Sequence, residues 1–223
     1  MTTAILIPAR FSSSRFPAKM LAGLNGVPLV RHVYDKCKAT GLDTYVLTDE
    51  RRIAHQIPYS DVIFTNDAEN GTDRCMQVID RDLQYDRYIN VQGDMPDITT
   101  EIIRAVESQL QHSDVSTAYT TMDFNLRNDP NTVKMIHTRG RAHWFCRASL
   151  MYGDHHLGVY GYNREAKVMY KNSTKFPEED IENLEQLRWI QNGIKVGVVE
   201  VDFNGIEINT PEDLIAWHHK NGK

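Results

Sequence analysis

Along most of this chain, short runs rich in β-branched and aromatic residues alternate with stretches whose apolar residues recur at helical spacing. That alternation is the strongest constraint on the fold. It predicts an α/β domain with a mixed, mostly parallel central sheet, because crossover helices bring successive strands in side by side. Strands are predicted at Thr3 to Pro8, Thr44 to Leu47, Asp61 to Phe64 and Tyr88 to Val91. Between them the spacing predicts a helix that buries Leu29, Val30, Val33, Tyr34 and Cys37 and stops near Gly41, and another from about Thr72 to Leu83. A further helix holds Ile102, Ile103, Val106 and Leu110. From Val115 to Tyr162 the rhythm turns strand-rich, with a hairpin at Arg139-Gly140, so residues 115–162 are expected to form a small strand-rich arm serving as a lid or dimerisation subregion. A helix from Glu178 to Asn192 is expected to bury Ile181, Leu184, Leu187 and Ile190. A strand at Lys195 to Val201 follows, then a helix capped by Thr210 with Pro211 at its first position and Asp213 facing its dipole.

The length of 223 residues suits a single catalytic domain spanning 1–223. Hydrophobic residues at 41% and charged residues at 25% exclude a disordered or collagenous chain. A net charge of -5 argues against a nucleic-acid partner, and no apolar run approaches the roughly 18 residues of a membrane span. The three cysteines are far apart and form no CxxC pair, which points to a reducing compartment. With no basic segment before TTAILIPAR, a cytoplasmic protein is expected.

The chemistry concentrates in two places. The segment IPARFSSSRFPAK, from Ile7 to Lys19, leaves the first strand carrying Arg10, Arg15 and Lys19 among Ser12, Ser13 and Ser14. The first 34 residues contain four cations and no Asp or Glu. Such a loop draws a polyphosphate, its cations balancing the charge and its hydroxyls and amides donating hydrogen bonds. It is neither a Walker A loop nor a GxGxxG turn. The second place is YINVQGDMP, where a buried strand delivers Asp94 to the sheet edge at which α/β folds bind ligands. Magnesium takes oxygen ligands, commonly one or two carboxylates plus substrate phosphates, so Asp94 is a candidate Mg²⁺ ligand.

Taken together, IPARFSSSRFPAK, NGTDR at Asn70 to Arg74 and NVQGD at Asn90 to Asp94 resemble the 3-deoxy-manno-octulosonate (Kdo) cytidylyltransferases, the CMP-Kdo synthetase family. DPNTVK at Asp129, HWFCRA at His143, HLGVYGY at His156, IENLEQLR at Ile181 and NTPEDL at Asn209 continue the resemblance in family order. It implies a Rossmann-like nucleotide-diphospho-sugar transferase fold, and a Mg²⁺-dependent homodimer that uses CTP and an acidic sugar for lipopolysaccharide biosynthesis. By similarity, Arg10, Arg15 and Lys19 hold the CTP phosphates, with Lys19 close to the α-phosphate; Ser12 helps hold the loop, and Ala9 belongs to the CTP site. Gly71, Thr72, Asp73 and Arg74 close around cytosine and ribose beside Gln92, and Asp94 holds Mg²⁺. Arg10, Lys19 and Asp94 are then the catalytic set. The sugar acid falls to Arg147, His156, Tyr160, Glu185 and Gln186.

The chain departs from the family pattern at four places. Met95 stands where an acid is usual, and Asn209 replaces the second metal aspartate, with Glu207 two residues earlier able to restore the charge. The stretch from Arg147 to His156 is short, and Asn163 replaces an arginine. Alternative functions are a cytidylyltransferase for amino-Kdo or a sialic-acid-like sugar, a glycosyltransferase using Asp80-Arg81-Asp82 as a DxD motif, and a catalytically impaired nucleotide binder.

Overall fold

The computed structural model describes residues 1–13, 15–79 and 81–222. Its contacts divide the chain into two compact units. A terminal unit comprises Thr2–Tyr85, Asn90–Thr100 and Asn204–Lys223; a central unit comprises Asp86–Ile89 and Glu101–Phe203, together with Met1.

The terminal unit begins with β1 (Thr3–Pro8), a continuous apolar run buried at every position, as befits a strand covered on both faces. After the basic loop and a 3-10 turn at Lys19–Leu21, a hairpin of β2 (Gly23–Leu24) and β3 (Val27–Pro28) turns at Asn25-Gly26. That hairpin was not foreseen, although Asn-Gly is a strong turn signal. Helix α1 (Leu29–Lys38) buries the five residues expected of it. β4 (Asp43–Thr48), the single turn α2 (Arg51–Ala54), β5 (Val62–Phe64) and α3 (Gly71–Val78) follow. Within this unit the strands run β5-β4-β1, all parallel, with Leu6 opposite Tyr45 and Val46 opposite Val62. α3 is shorter than the predicted Thr72 to Leu83: Ile79 turns to extended backbone, so Arg81 and Asp82 lie in a turn beyond the helix rather than at its polar end. Asp80, the first acid of the DxD reading, and Ser14, one of the loop hydroxyls, lie outside the described residues.

β6 (Arg87–Val91) starts in the central unit and delivers Asn90 and Val91 to the terminal one. Helix α4 (Thr100–Gln109), β7 (Val115–Thr120), β8 (Lys134–Thr138), β9 (Arg141–Cys146) and β10 (Asp154–Asn163) come next. They are followed by α5 (Ala166–Asn172), α6 (Pro177–Glu182), α7 (Leu187–Gln191) and β11 (Val196–Glu200). The central strands run β6-β10-β7-β11-β9-β8. β11 joins β7 in parallel; the β10–β7, β10–β8, β8–β9 and β11–β9 pairings are antiparallel. The parallel character expected of the sheet is therefore strongest in the terminal unit, while residues 115–162 supply antiparallel ribbons. The β8–β9 hairpin turns at Arg139-Gly140 as predicted, both residues having left-handed backbone (φ 49° and 71°).

The helix predicted from Glu178 to Asn192 is two helices. Asn183 adopts φ 52°, ψ 50° and caps α6, and the chain restarts as α7. Ile181 consequently points to solvent, 76% exposed, instead of joining the core, whereas Leu184 and Leu187 are buried. Arg188 reaches back across the break and donates from Nε and Nη2 to the two carboxylate oxygens of Glu179 at 2.8 and 2.6 Å. Both residues are buried and the guanidinium lies 4.4 Å from the Tyr170 ring centroid. This paired, aromatic-covered charge ties α7 to α6. The chain re-enters the terminal unit for α8 (Pro211–Asn221), whose Thr210 and Asp213 form a reciprocal capping box.

Candidate active site

In the terminal unit four separate stretches of sequence converge. Ala9 is buried and its amide donates to the Leu47 carbonyl at 2.9 Å, which anchors the exit of β1. Beyond it Arg10, Ser12 and Arg15 are exposed. The chain then turns through Ala18, a non-glycine residue at φ 55°, and carries Lys19 inward until it is only 7% exposed. There its Nζ donates to Asp94 Oδ2 at 2.7 Å.

Two glycines leave room around the turn that carries Asp94, Gly93 beside Met20 and the Pro8 carbonyl and Gly71 beside the Gln92 side chain. A Cβ on Gly93 would come within 2.8 Å of the Met20 sulfur and 3.3 Å of the Pro8 carbonyl oxygen. One on Gly71 would meet the Gln92 side-chain amide at 2.8 Å. Gln92 itself donates to Asn90 Oδ1 at 3.2 Å. The fourth stretch, residues 204–213, is fastened to the same turn: Ile208 N donates to the Asp94 carbonyl at 2.9 Å. Asp97 receives Ile206 N and Trp217 Nε1, each at 2.9 Å. Asn209 thereby lies alongside, its Oδ1 accepting from Arg15 Nη2 at 3.4 Å. Lys19 thus contacts Asp94 directly and Arg15 contacts Asn209, 194 residues away, with the Ile208–Asp94 backbone bond tying the two stretches together.

Around α3 the nucleotide candidates sort differently. Asn70 caps the helix by accepting from Asp73 N at 2.8 Å, and Asp73 accepts in turn from Glu69 N. Thr72 is buried. Arg74 is also buried: it donates to Asp49 Oδ2 at 2.8 Å, to Thr65 Oγ1 and to the Asn66 carbonyl. Its guanidinium holds the segments after β4 and β5 against α3, a structural task not legible in NGTDR. Asp49 and Thr65, its partners, were not singled out from the sequence.

The donors fit magnesium better than a softer metal. No group of three or more His, Cys, Asp or Glu able to hold a metal occurs among the described residues. Asp94 offers a carboxylate, Asn209 a neutral carbonyl oxygen, and Glu207 is half-buried on the same stretch. A hard cation that completes its shell with phosphate oxygens and water needs no more protein ligands than these.

The central unit holds the other candidates. His156 and Tyr160 are buried on β10, with ring centroids 5.4 Å apart, and Phe145 meets His156 edge-on at 4.9 Å. Burial, helped by the charges of His155 and Arg147, lowers the His156 pKa from 6.5 to about 3, so its imidazole is neutral. The tautomer follows from Thr117. That hydroxyl gives its single proton to the Val159 carbonyl at 2.8 Å, and therefore accepts from His156 Nε2–H at 2.9 Å, leaving Nδ1 as an acceptor. Arg147 donates from Nε to the Glu182 carbonyl at 3.0 Å and from Nη1 to the Pro130 and Asn131 carbonyls. Its amide donates to Glu182 Oε2 at 2.7 Å. Arg147 is thereby joined to the α6–α7 turn, on which Gln186 is buried and Glu185 half-buried.

A parallel α/β unit whose first strand ends in a cationic loop, and whose carboxylate sits within hydrogen-bonding reach of that loop's lysine, defines a nucleotidyltransferase type of site. The cytidylyltransferase family model matches residues 4–196, and the chain belongs to that family. Similar full-length relatives are a 3-deoxy-manno-octulosonate cytidylyltransferase from Hydrogenovibrio crunogenus and an 8-amino-3,8-dideoxy-manno-octulosonate cytidylyltransferase from Shewanella halifaxensis. Each is 37% identical, with 96% of both chains covered. Among solved structures, a CMP:2-keto-3-deoxy-manno-octonic acid synthetase complexed with CTP superposes with a TM-score of 0.90 at 30% identity, covering 99% of this chain and 98% of that one. A glucose-1-phosphate thymidylyltransferase from Bacillus anthracis, 13% identical with a TM-score of 0.75 over 98% of this chain and 95% of that one, shares the fold. The fold is thus the nucleotide-diphospho-sugar transferase fold expected from the sequence. No helix among the described residues is long and apolar enough to cross a membrane.

Proposed function

We propose that this protein transfers the cytidylyl group of CTP to Kdo or its 8-amino counterpart, with Mg²⁺ as cofactor, in the cytoplasm and as a homodimer. The observation that carries the reading is the 2.7 Å contact between Lys19, the last cation of the basic loop, and Asp94 at the end of β6. The anomeric hydroxyl of the sugar acid attacks the α-phosphorus, a new P–O bond forms, and the bond to the β-phosphate oxygen breaks. Pyrophosphate leaves, and the hydroxyl proton passes to solvent.

Phosphoryl transfers of this kind need alignment and charge compensation more than covalent help. Arg10 and Arg15, exposed on the loop, meet the outer phosphates, and Lys19 neutralises charge on the α-phosphate. Asp94 and Asn209 would hold Mg²⁺, which would supply further positive charge to the transferring phosphate. On the sugar side Arg147 provides a cation for the carboxylate, and the His156 Nδ1 acceptor suits a sugar hydroxyl. Tyr160, Glu185 and Gln186 add polar contacts. Three buried free cysteines agree with a reducing compartment. Exposed Phe124, Met151 and Tyr152 in the strand-rich arm offer apolar surface for a second copy.

Pyrophosphate release from CTP and Mg²⁺, assayed against Kdo, 8-amino-Kdo and a sialic-acid-like sugar, tests the reading. Release with one of the first two is expected. Release with neither, in a protein that still binds CTP, would reject it.

A further inference from the structure

The DPNTVK stretch is part of the family resemblance, yet it meets the site described above only through the Pro130 and Asn131 carbonyls that accept from Arg147. Its lysine is the most deeply buried cation among the described residues: Lys134 is 0% exposed. Buried ammonium groups ordinarily sit against a carboxylate. Lys134 instead donates its three protons to three main-chain carbonyls: Asp129 at 2.6 Å, Thr132 at 3.0 Å and Arg147 at 3.1 Å. The Asp129 carboxylate is occupied elsewhere, accepting from Asn131 N and from the Thr132 hydroxyl, both at 2.9 Å.

Arg147 completes the pattern. Its Nη1 donates to the Pro130 and Asn131 carbonyls at 3.1 and 3.2 Å. The four consecutive carbonyls of residues 129–132 are therefore all taken by two cations, Lys134 receiving the outer pair and Arg147 the inner pair. Lys134 also holds the carbonyl of Arg147 itself. Each pair of carbonyls shares one cationic nitrogen, so the loop and the two side chains order one another.

We propose that Lys134 is a positioning residue for sugar-acid recognition, caging the 129–132 loop and the Arg147 main chain so that the Arg147 guanidinium is held ready for the substrate carboxylate. This rests on the reading of Arg147 as a sugar-acid residue. Because Lys134 meets carbonyls rather than an acid, its charge also adds to the local positive potential. Burial lowers the pKa of neighbouring His155, with the Lys134 charge a smaller contribution in the same direction, and burial likewise lowers that of Lys134.

The test is steady-state kinetics on Lys134→Gln and Lys134→Met, varying Kdo and CTP separately, with thermal unfolding measured alongside. Loss of hydrogen bonds to a charged group is expected to raise KM for the sugar acid about tenfold or more, with KM for CTP unchanged. A general loosening of the fold would move both constants together, and that result, or two unchanged constants, overturns the proposal. Arg147→Gln separates the two claims. If it leaves KM for Kdo unchanged, the sugar-site reading falls and this inference with it. If it raises that KM while the Lys134 variants do not, only the positioning role falls. Should neither Lys134 variant fold, Asp129→Ala, which loosens the same loop at its half-buried start, carries the test with the same split expected and the same overturning results.

Discussion

Each unit buries a paired arginine, Arg74 in the terminal unit and Arg188 in the central one, but the two differ in where their remaining cations stand. In the terminal unit, Arg10 and Arg15 stand exposed on the loop, and the decisive ion pair, buried Lys19 with Asp94, keeps a carboxylate that is 23% exposed at its side chain. In the central unit, Lys134 is caged by carbonyls, Arg147 is half-buried and bonded to three more, Arg188 is locked bidentately on Glu179, and His156 is neutral. An open, cationic loop suits a highly charged, hydrated triphosphate that must enter and leave as pyrophosphate. A dry, hydrogen-bonded setting suits recognition of a polyol by shape and by which atoms donate or accept.

The sharpest way to break this contrast is at Asp94. Asp94→Asn keeps an acceptor for Lys19 while removing the charge, so kcat should fall about 10³-fold, the scale of losing one preorganised electrostatic group, with the melting temperature little changed. Near-normal turnover would move the reactive centre away from the Lys19–Asp94 pair. The central unit should respond in the reverse sense. Glu179→Ala strands a buried guanidinium and should cost about 3 kcal/mol of stability in urea unfolding, whereas kcat of the folded enzyme at saturating substrate should change far less. An equal loss in both quantities would dissolve the distinction between a charge used for chemistry and a charge used for packing.

Acid titration probes the neutral histidines. His156 and His155 have folded pKa values of about 3 and about 4 against 6.5, with burial the largest cause in each. The unfolded chain therefore binds their protons first. Their contribution to stability is complete above pH 6.5 and is lost as pH falls toward the folded values, at about 1.4 kcal/mol per pH unit for each group. Urea unfolding at pH 7, 6 and 5 should show this slope, reduced by one proton in His156→Asn. An unchanged slope would mean that the imidazole is not held neutral. The smallest effect is expected at Asn209→Asp. An added carboxylate beside Asp94 should tighten Mg²⁺ binding a few-fold, read from the Mg²⁺ dependence of turnover and from Mn²⁺ relaxation titration. Identical titrations would assign the second ligand to Glu207.

Local features could be seen in advance. β1 is legible because a fully buried strand is a continuous apolar run, α1 because its apolar face recurs at helical spacing, and α8 because its cap, first-turn proline and Asp213 lie within four residues. The break at Asn183 was missed because an apolar period runs through it. The left-handed residue is rewarded only when Leu184 and Leu187 turn inward and Arg188 finds Glu179. Arg74 shows the same limit: its motif says nothing of Asp49 and Thr65, the distant neighbours to which it donates.

By itself, then, the sequence determined most of the longer strands and helices, the polarity of the opening loop and the family. Those are properties of spacing and composition within short windows. Tertiary structure alone decided that Lys19 meets Asp94, that Asn209 is brought alongside by the Ile208 hydrogen bond, and that a lysine of the DPNTVK stretch holds up Arg147. Each is a contact between residues remote in the chain, and its energy depends on distance and desolvation, which exist only once the backbone has closed.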